Sequence, residues 1–80
     1  MNKIQFFFSS PSHYEKTTVE IQVGLERIVE LNREHGVDNI EVELFGTDLS
    51  RGFVAKLPLD QLLDALLKAK EMLMQEELRE

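Results

Sequence analysis

The topology of this chain depends on residues 17–23, which read TTVEIQV. Polar and apolar side chains alternate along the whole stretch, and five of its seven residues are β-branched. β-Branched residues favour strands, and a strand would place Val19, Ile21 and Val23 on one face. We therefore predict a strand over residues 17–23.

A single long helix over residues 13–35 is the rival prediction. Ser12 and Glu15 have the spacing of a capping box, which is typical of the start of a helix. In such a helix, Val19 and Val23 would point away from the side that holds the other apolar residues. The strand leaves no apolar residue misplaced, so we prefer it and keep the long helix as the alternative.

The other elements follow from apolar periodicity and from glycine and proline breaks. Alternation predicts further strands at residues 3–9, 39–45 and 53–57, the last two forming a hairpin around a loop at 46–52. Helical spacing predicts two helices, at residues 25–35 and 59–78. The expected fold is a two-layer α/β sandwich of order ββαββα, with two helices on one face of a four-stranded, mostly antiparallel sheet. The long helix would instead give βαββα with three strands.

Composition excludes several classes of function. The chain has 80 residues, nine basic and fifteen acidic, and a net charge of −6. The basic residues are scattered and a negative protein repels phosphates, so we expect no direct contact with nucleic acid. Cysteine is absent, which excludes disulfides and thiolate metal sites. No apolar run is long enough for a membrane span or a secretory signal, so we expect one cytoplasmic domain over residues 1–80.

Two histidines and a pair of aspartates are the residues best suited to chemistry. We interpret His13 as a solvated side chain in a loop or at a helix start. His35 falls in the last turn of the predicted first helix, where the helix dipole favours a cation. Asp60 and Asp64 share a helix face, but they lie in the first turns, where the dipole stabilises acids. No phosphate-binding glycine loop or nucleophile motif occurs, so we predict no catalytic residue, no metal site, no cofactor and no enzymatic activity.

The acidic residues are regularly spaced. On the predicted first helix, Glu26, Glu30 and Glu34 follow one another at intervals of four. Glu41 and Glu43 would add two acids to the outer face of the neighbouring strand. These five glutamates are either a solvated face that keeps the protein soluble or a surface that binds a basic partner protein.

The last helix carries more apolar residues than one sheet can cover. Its main stripe packs on the sheet, whereas Leu67, Met74 and Leu78 fall on a flank. A domain of this size buries only about 60% of the surface of its unfolded chain, so association is a usual source of further stability. We expect this flank to form a homodimer or to bind a partner.

These patterns predict a small acidic protein that acts through protein–protein contacts, in a regulatory role and as a homodimer. The alternative is an inhibitor from a phage or mobile element, of the anti-restriction or anti-CRISPR type. Such an inhibitor would use its acidic surface to block a nucleic-acid-binding protein or complex.

Overall fold

The structure is a computed structural model that describes residues 3–45, 47–48, 50 and 52–79. These residues form six strands, a 3-10 turn at Val37–Asn39 and one α-helix. The strands are β1 (Ile4–Ser9), β2 (Thr18–Val23), β3 (Glu26–Asn32), β4 (Glu41–Leu44), β5 (Thr47–Asp48) and β6 (Phe53–Val54), and the helix is α1 (Leu59–Arg79).

The first four strands form one antiparallel sheet in the order β1-β2-β3-β4. The strand predicted over residues 17–23 is confirmed as β2, and the long helix over residues 13–35 is wrong. Strand β2 lies between β1 and β3, so both of its edges are hydrogen-bonded. The alternating polar and apolar side chains of β2 therefore belong to a strand that is paired on both edges and has one apolar face.

The predicted helix at residues 25–35 is also wrong, because this segment forms strand β3. Gly24 has φ of +63°, which lets the chain reverse in a tight turn and pair Val23 with Glu26. A bulge then leaves Ile28 without a partner residue in β2, while Val29 pairs with Ile21. Ile28 and Val29 are consequently both buried, and these adjacent apolar residues imitate helical spacing in the sequence. The ββαββα sandwich with two helices is thus corrected to a four-stranded antiparallel sheet with one helix among the described residues.

Between the described residues of 39–45 and 53–57, the predicted hairpin does not form. Strand β4 pairs with β3, with Val42 opposite Leu31 and Leu44 opposite Val29. Strands β5 and β6 pair with each other in a separate two-stranded sheet. Positions 46, 49 and 51 of the predicted loop lie outside the described residues. Strand β4 therefore pairs with β3, which precedes it in the sequence, and not with the later strand that the pattern predicted.

Helix α1 packs across β2 and β3 and closes a small core. The sheet contributes the buried side chains of Val19, Ile21, Val23, Ile28, Val29 and Leu31, and the helix contributes Ala65, Ala69 and Leu73. Two of the three helical core residues are alanines, so the helix axis can approach the sheet closely. The same face of β4 carries Val42 and Leu44, which the helix leaves exposed.

Candidate functional site

An apolar groove lies between β4 and α1, where the helix fails to cover the edge of the sheet. Its volume is about 520 Å³. The groove is lined by Leu31, Val37, Asp38, Ile40, Val42, Leu63, Leu66, Leu67 and Lys70. Apart from Asp38 and Lys70, which have opposite charges, these side chains are apolar. The groove is therefore suited to an apolar side chain or helix face rather than to a charged metabolite.

The predicted association residues lie on the flank of α1 that borders this groove. Leu67 lines the groove and is 62% exposed, while Met74 and Leu78 are 42% and 86% exposed. Their spacing of seven and four residues keeps them on one side of the helix, together with the exposed Leu63. Leu67, Met74 and Leu78 are thus exposed in the single chain, and self-association through them stays a prediction.

The five predicted glutamates do not form a helical row, because residues 26–32 are a strand. Glu30 is only 1% exposed and cannot contact a partner from this position. Glu41 lies 3.7 Å from the imidazole of His35, and Glu43 accepts a hydrogen bond from the hydroxyl of Tyr14. The carboxylates are thus largely engaged within the chain, and an acidic partner surface stays a prediction.

Glu34 fastens the connection between β1 and β2. Its carboxylate accepts hydrogen bonds from the backbone N–H groups of Glu15, at 3.0 Å, and Lys16, at 2.8 Å. These two hydrogen bonds lower the pKa of Glu34 from its ordinary value of 4.5, and the charges of Lys16 and His35 lower it further. The sequence shows no sign of this role, because the two backbone donors reach Glu34 only through the fold.

The lowered pKa of Glu34 predicts a pH-dependent contribution to stability. A carboxyl group with a lower pKa in the folded state stabilises the fold above its unfolded pKa and loses this effect as pH falls through the folded value. The wild type should therefore lose more stability than Glu34→Gln when pH falls from about 6 to about 3. Urea unfolding at both pH values measures the difference. An equal loss in the two proteins would contradict the role of these hydrogen bonds, and Glu71→Gln, at an exposed helical position, is the control.

A second group of polar side chains lies on the sheet face opposite α1. His13, Glu30 and Glu43 each bring one potential metal-ligand atom, and these three atoms lie within 4.8 Å of one another. The His13 Nε2 atom is 3.9 Å from Glu43 Oε1. Glu30 accepts a hydrogen bond of 2.8 Å from the hydroxyl of Thr18 at its Oε2 atom. The three residues could hold a divalent cation, so we call them the His13 cluster.

Neighbouring side chains orient the His13 cluster. The hydroxyl of Tyr14 donates to Glu43, and the side-chain amide of Asn32 donates to the hydroxyl of Tyr14 at 3.3 Å. Sequence reasoning missed this cluster, since it assigned Glu30 to a helix and His13 to a solvated loop. Asp60 and Asp64 lie at exposed positions of α1 and do not belong to the cluster.

A buried cation joins the end of β3 to the end of α1. The side chain of Arg33 is fully buried, and its Nη1 atom donates to the carboxylate of Glu77. Lys16 approaches the same carboxylate at 3.7 Å. Arg33 directly follows β3, so the course of that strand brings its guanidinium to the end of α1.

Comparisons with known proteins do not identify a family. The chain matches no protein-family model, no curated protein and no solved structure. Within the described residues, α1 lacks an apolar stretch that could cross a bilayer. Function is therefore inferred from the groove, the glutamates and the His13 cluster.

Proposed function

We propose that this chain is a small, acidic, non-enzymatic interaction protein of the cytoplasm, and that it forms a homodimer through the groove between β4 and α1. The observation that carries this proposal is the apolar strip formed by Val42 and Leu44 of β4 with Leu63 and Leu67 of α1, all of them exposed in the single chain. Burial of such a strip contributes roughly 25 cal/mol per Å² of apolar surface, from which the entropic cost of association is subtracted.

A second copy of the chain suits the groove because the surface is self-complementary. The same flank of α1 both borders the groove and carries protruding leucines, so two copies related by a two-fold axis can exchange them. Asp38 and Lys70 line the groove with opposite charges, and each can face its counterpart in the other copy. The net charge of −6 opposes association, but Glu30 and Glu43 lie on the other face of the sheet.

Leu67→Asp tests the dimer. We expect the wild type to sediment as a dimer at tens of micromolar and the variant to sediment as a monomer, because the change places a carboxylate in an apolar interface. Sedimentation equilibrium over a range of concentrations measures both. Circular dichroism should show that the variant keeps its fold, because Leu67 is exposed in the single chain.

Leu25→Asp is the matched control. Leu25 is almost fully exposed and lies in the turn between β2 and β3, outside the residues that line the groove. This variant should dimerise as the wild type does. A wild type that is monomeric at 100 µM, or a Leu67→Asp variant that stays dimeric, would refute the proposed interface.

An acidic contact with a basic partner protein is the second part of the proposal. Glu26, Glu34, Glu41 and Glu43 are available for it in part, whereas Glu30 is buried. The inhibitor of a nucleic-acid-binding protein ranks below the interaction protein, because it depends on the acidic surface alone, where Glu34 and Glu43 already accept hydrogen bonds within the chain. Binding to a basic partner should weaken as salt concentration rises, and salt-independent binding would exclude both acidic functions.

A further inference from the structure

We propose that His13, Glu30 and Glu43 bind a zinc ion on the polar face of the sheet. This site is separate from the groove, which lies on the side of the sheet that faces α1. It brings together a loop, a central strand and an edge strand. The zinc would fasten the connection between β1 and β2 to the sheet.

The geometry of the three ligand atoms suits a small cation. They lie within 4.8 Å of one another, whereas tetrahedral zinc holds its ligand atoms about 3.3 Å apart. His13 is on a loop and its side chain is 61% exposed, so it can move the remaining distance without disturbing the core. Glu30 and Glu43 are already opposite each other in the register of β3 and β4. Three protein ligands leave a fourth position for water.

The carboxylate of Glu30 supplies an independent reason for a cation. Glu30 is almost fully buried, and Thr18 donates to its Oε2 atom. Its Oε1 atom is also buried and has no hydrogen-bond donor among the described residues. A buried carboxylate oxygen without a hydrogen-bond donor lowers the stability of the fold, and a metal ion bound to this oxygen would offset that loss.

The strand register adds a third reason. Glu20 of β2, Glu30 of β3 and Glu43 of β4 are paired in one row across the sheet. Like charges directly opposite each other on neighbouring strands are destabilising. A divalent cation between Glu30 and Glu43 would replace the repulsion between the two carboxylates by the attraction of each to the cation. The hydroxyl of Tyr14 donates to Glu43 and would hold that ligand in place, as outer groups do in metal sites.

The ligand types favour zinc over calcium or magnesium. Zinc accepts imidazole nitrogen together with carboxylate oxygen in a four-coordinate site. Calcium needs six to eight oxygen ligands, and magnesium keeps octahedral geometry with oxygen ligands. The cluster offers one nitrogen and two carboxylates, which is too few oxygens for either ion.

Titration of the EDTA-treated and dialysed protein with zinc chloride tests the site. Calorimetry should show one zinc ion per chain, and His13→Ala should weaken binding at least tenfold. Glu43→Gln should weaken it as well. In NMR spectra of the wild type, zinc should shift the imidazole signals of His13 and leave those of His35 in place. Magnesium chloride should produce neither effect.

His35→Ala is the matched control, because His35 is also exposed and also lies within 4 Å of a strand glutamate, Glu41. Among the described residues no buried carboxylate joins that pair, so this variant should bind zinc as the wild type does. The site is refuted if the wild type binds no zinc in the micromolar range, or if His13→Ala binds zinc as tightly as the wild type. Equal losses in the two histidine variants would indicate surface binding only. Leu67→Asp should keep the zinc site, which separates this inference from the dimer.

Discussion

Leu73→Ala is expected to lower the free energy of unfolding by about 2–5 kcal/mol. Leu73 is fully buried and is the largest of the three side chains that α1 contributes to the core. The other two are Ala65 and Ala69, so Leu73 supplies most of the apolar volume that α1 buries fully in the core. A domain of 80 residues is stable by only about 4–12 kcal/mol, so the variant should lie near the limit of folding.

Urea unfolding followed by circular dichroism measures this loss. Leu59→Ala is the control, because Leu59 lies in the same helix and its side chain is exposed. We expect that change to alter stability by less than about 0.5 kcal/mol. Equal losses for the two variants would mean that α1 does not pack on the sheet through Leu73.

Glu77→Ala is expected to cost about 2–3 kcal/mol of stability. The carboxylate of Glu77 accepts a hydrogen bond from the fully buried Arg33 and also attracts Lys16. Removal of this anion takes away a charged hydrogen-bond partner from a guanidinium that is fully buried. The expected loss is below that of a fully buried pair, because the side chain of Glu77 is itself partly exposed.

Glu71→Ala separates the ion pair from general effects of a lost helical carboxylate, because Glu71 is exposed on the same helix. It should change stability little. A double-mutant cycle of Glu77→Ala with Arg33→Met then measures the coupling between the two side chains. A coupling energy near zero would contradict a stabilising role for this ion pair.

Strand β2 and helix α1 were predictable from the sequence because their patterns are local. Alternation of Val19, Ile21 and Val23 predicted β2, and the dense run of helix formers after Pro58 predicted α1. The excess of apolar residues on α1 also predicted that Leu67 would lie outside the core. Each of these predictions needs only neighbouring residues, because backbone geometry decides which side chains share a face.

Strand β3 was not predictable in this way. Leu25, Ile28 and Val29 have helical spacing, and the segment is rich in glutamate, arginine and leucine, which favour helices. In the fold, the turn at Gly24 and the bulge at Ile28 place this segment between β2 and β4. Backbone hydrogen bonds along both edges of β3 and the burial of its apolar side chains under α1 outweigh the intrinsic helix preference of this segment, which is only a few tenths of a kcal/mol per residue.

The amino-acid sequence alone establishes the acidic character, the absence of thiol chemistry, β2, and a last helix with an apolar flank. That Glu30 faces Glu43, that His13 approaches them, and that the groove opens beside β4 follow from the folded chain. These arrangements arise from strand pairing. It joins residues that are distant along the chain, and a single bulge changes which of them share a face.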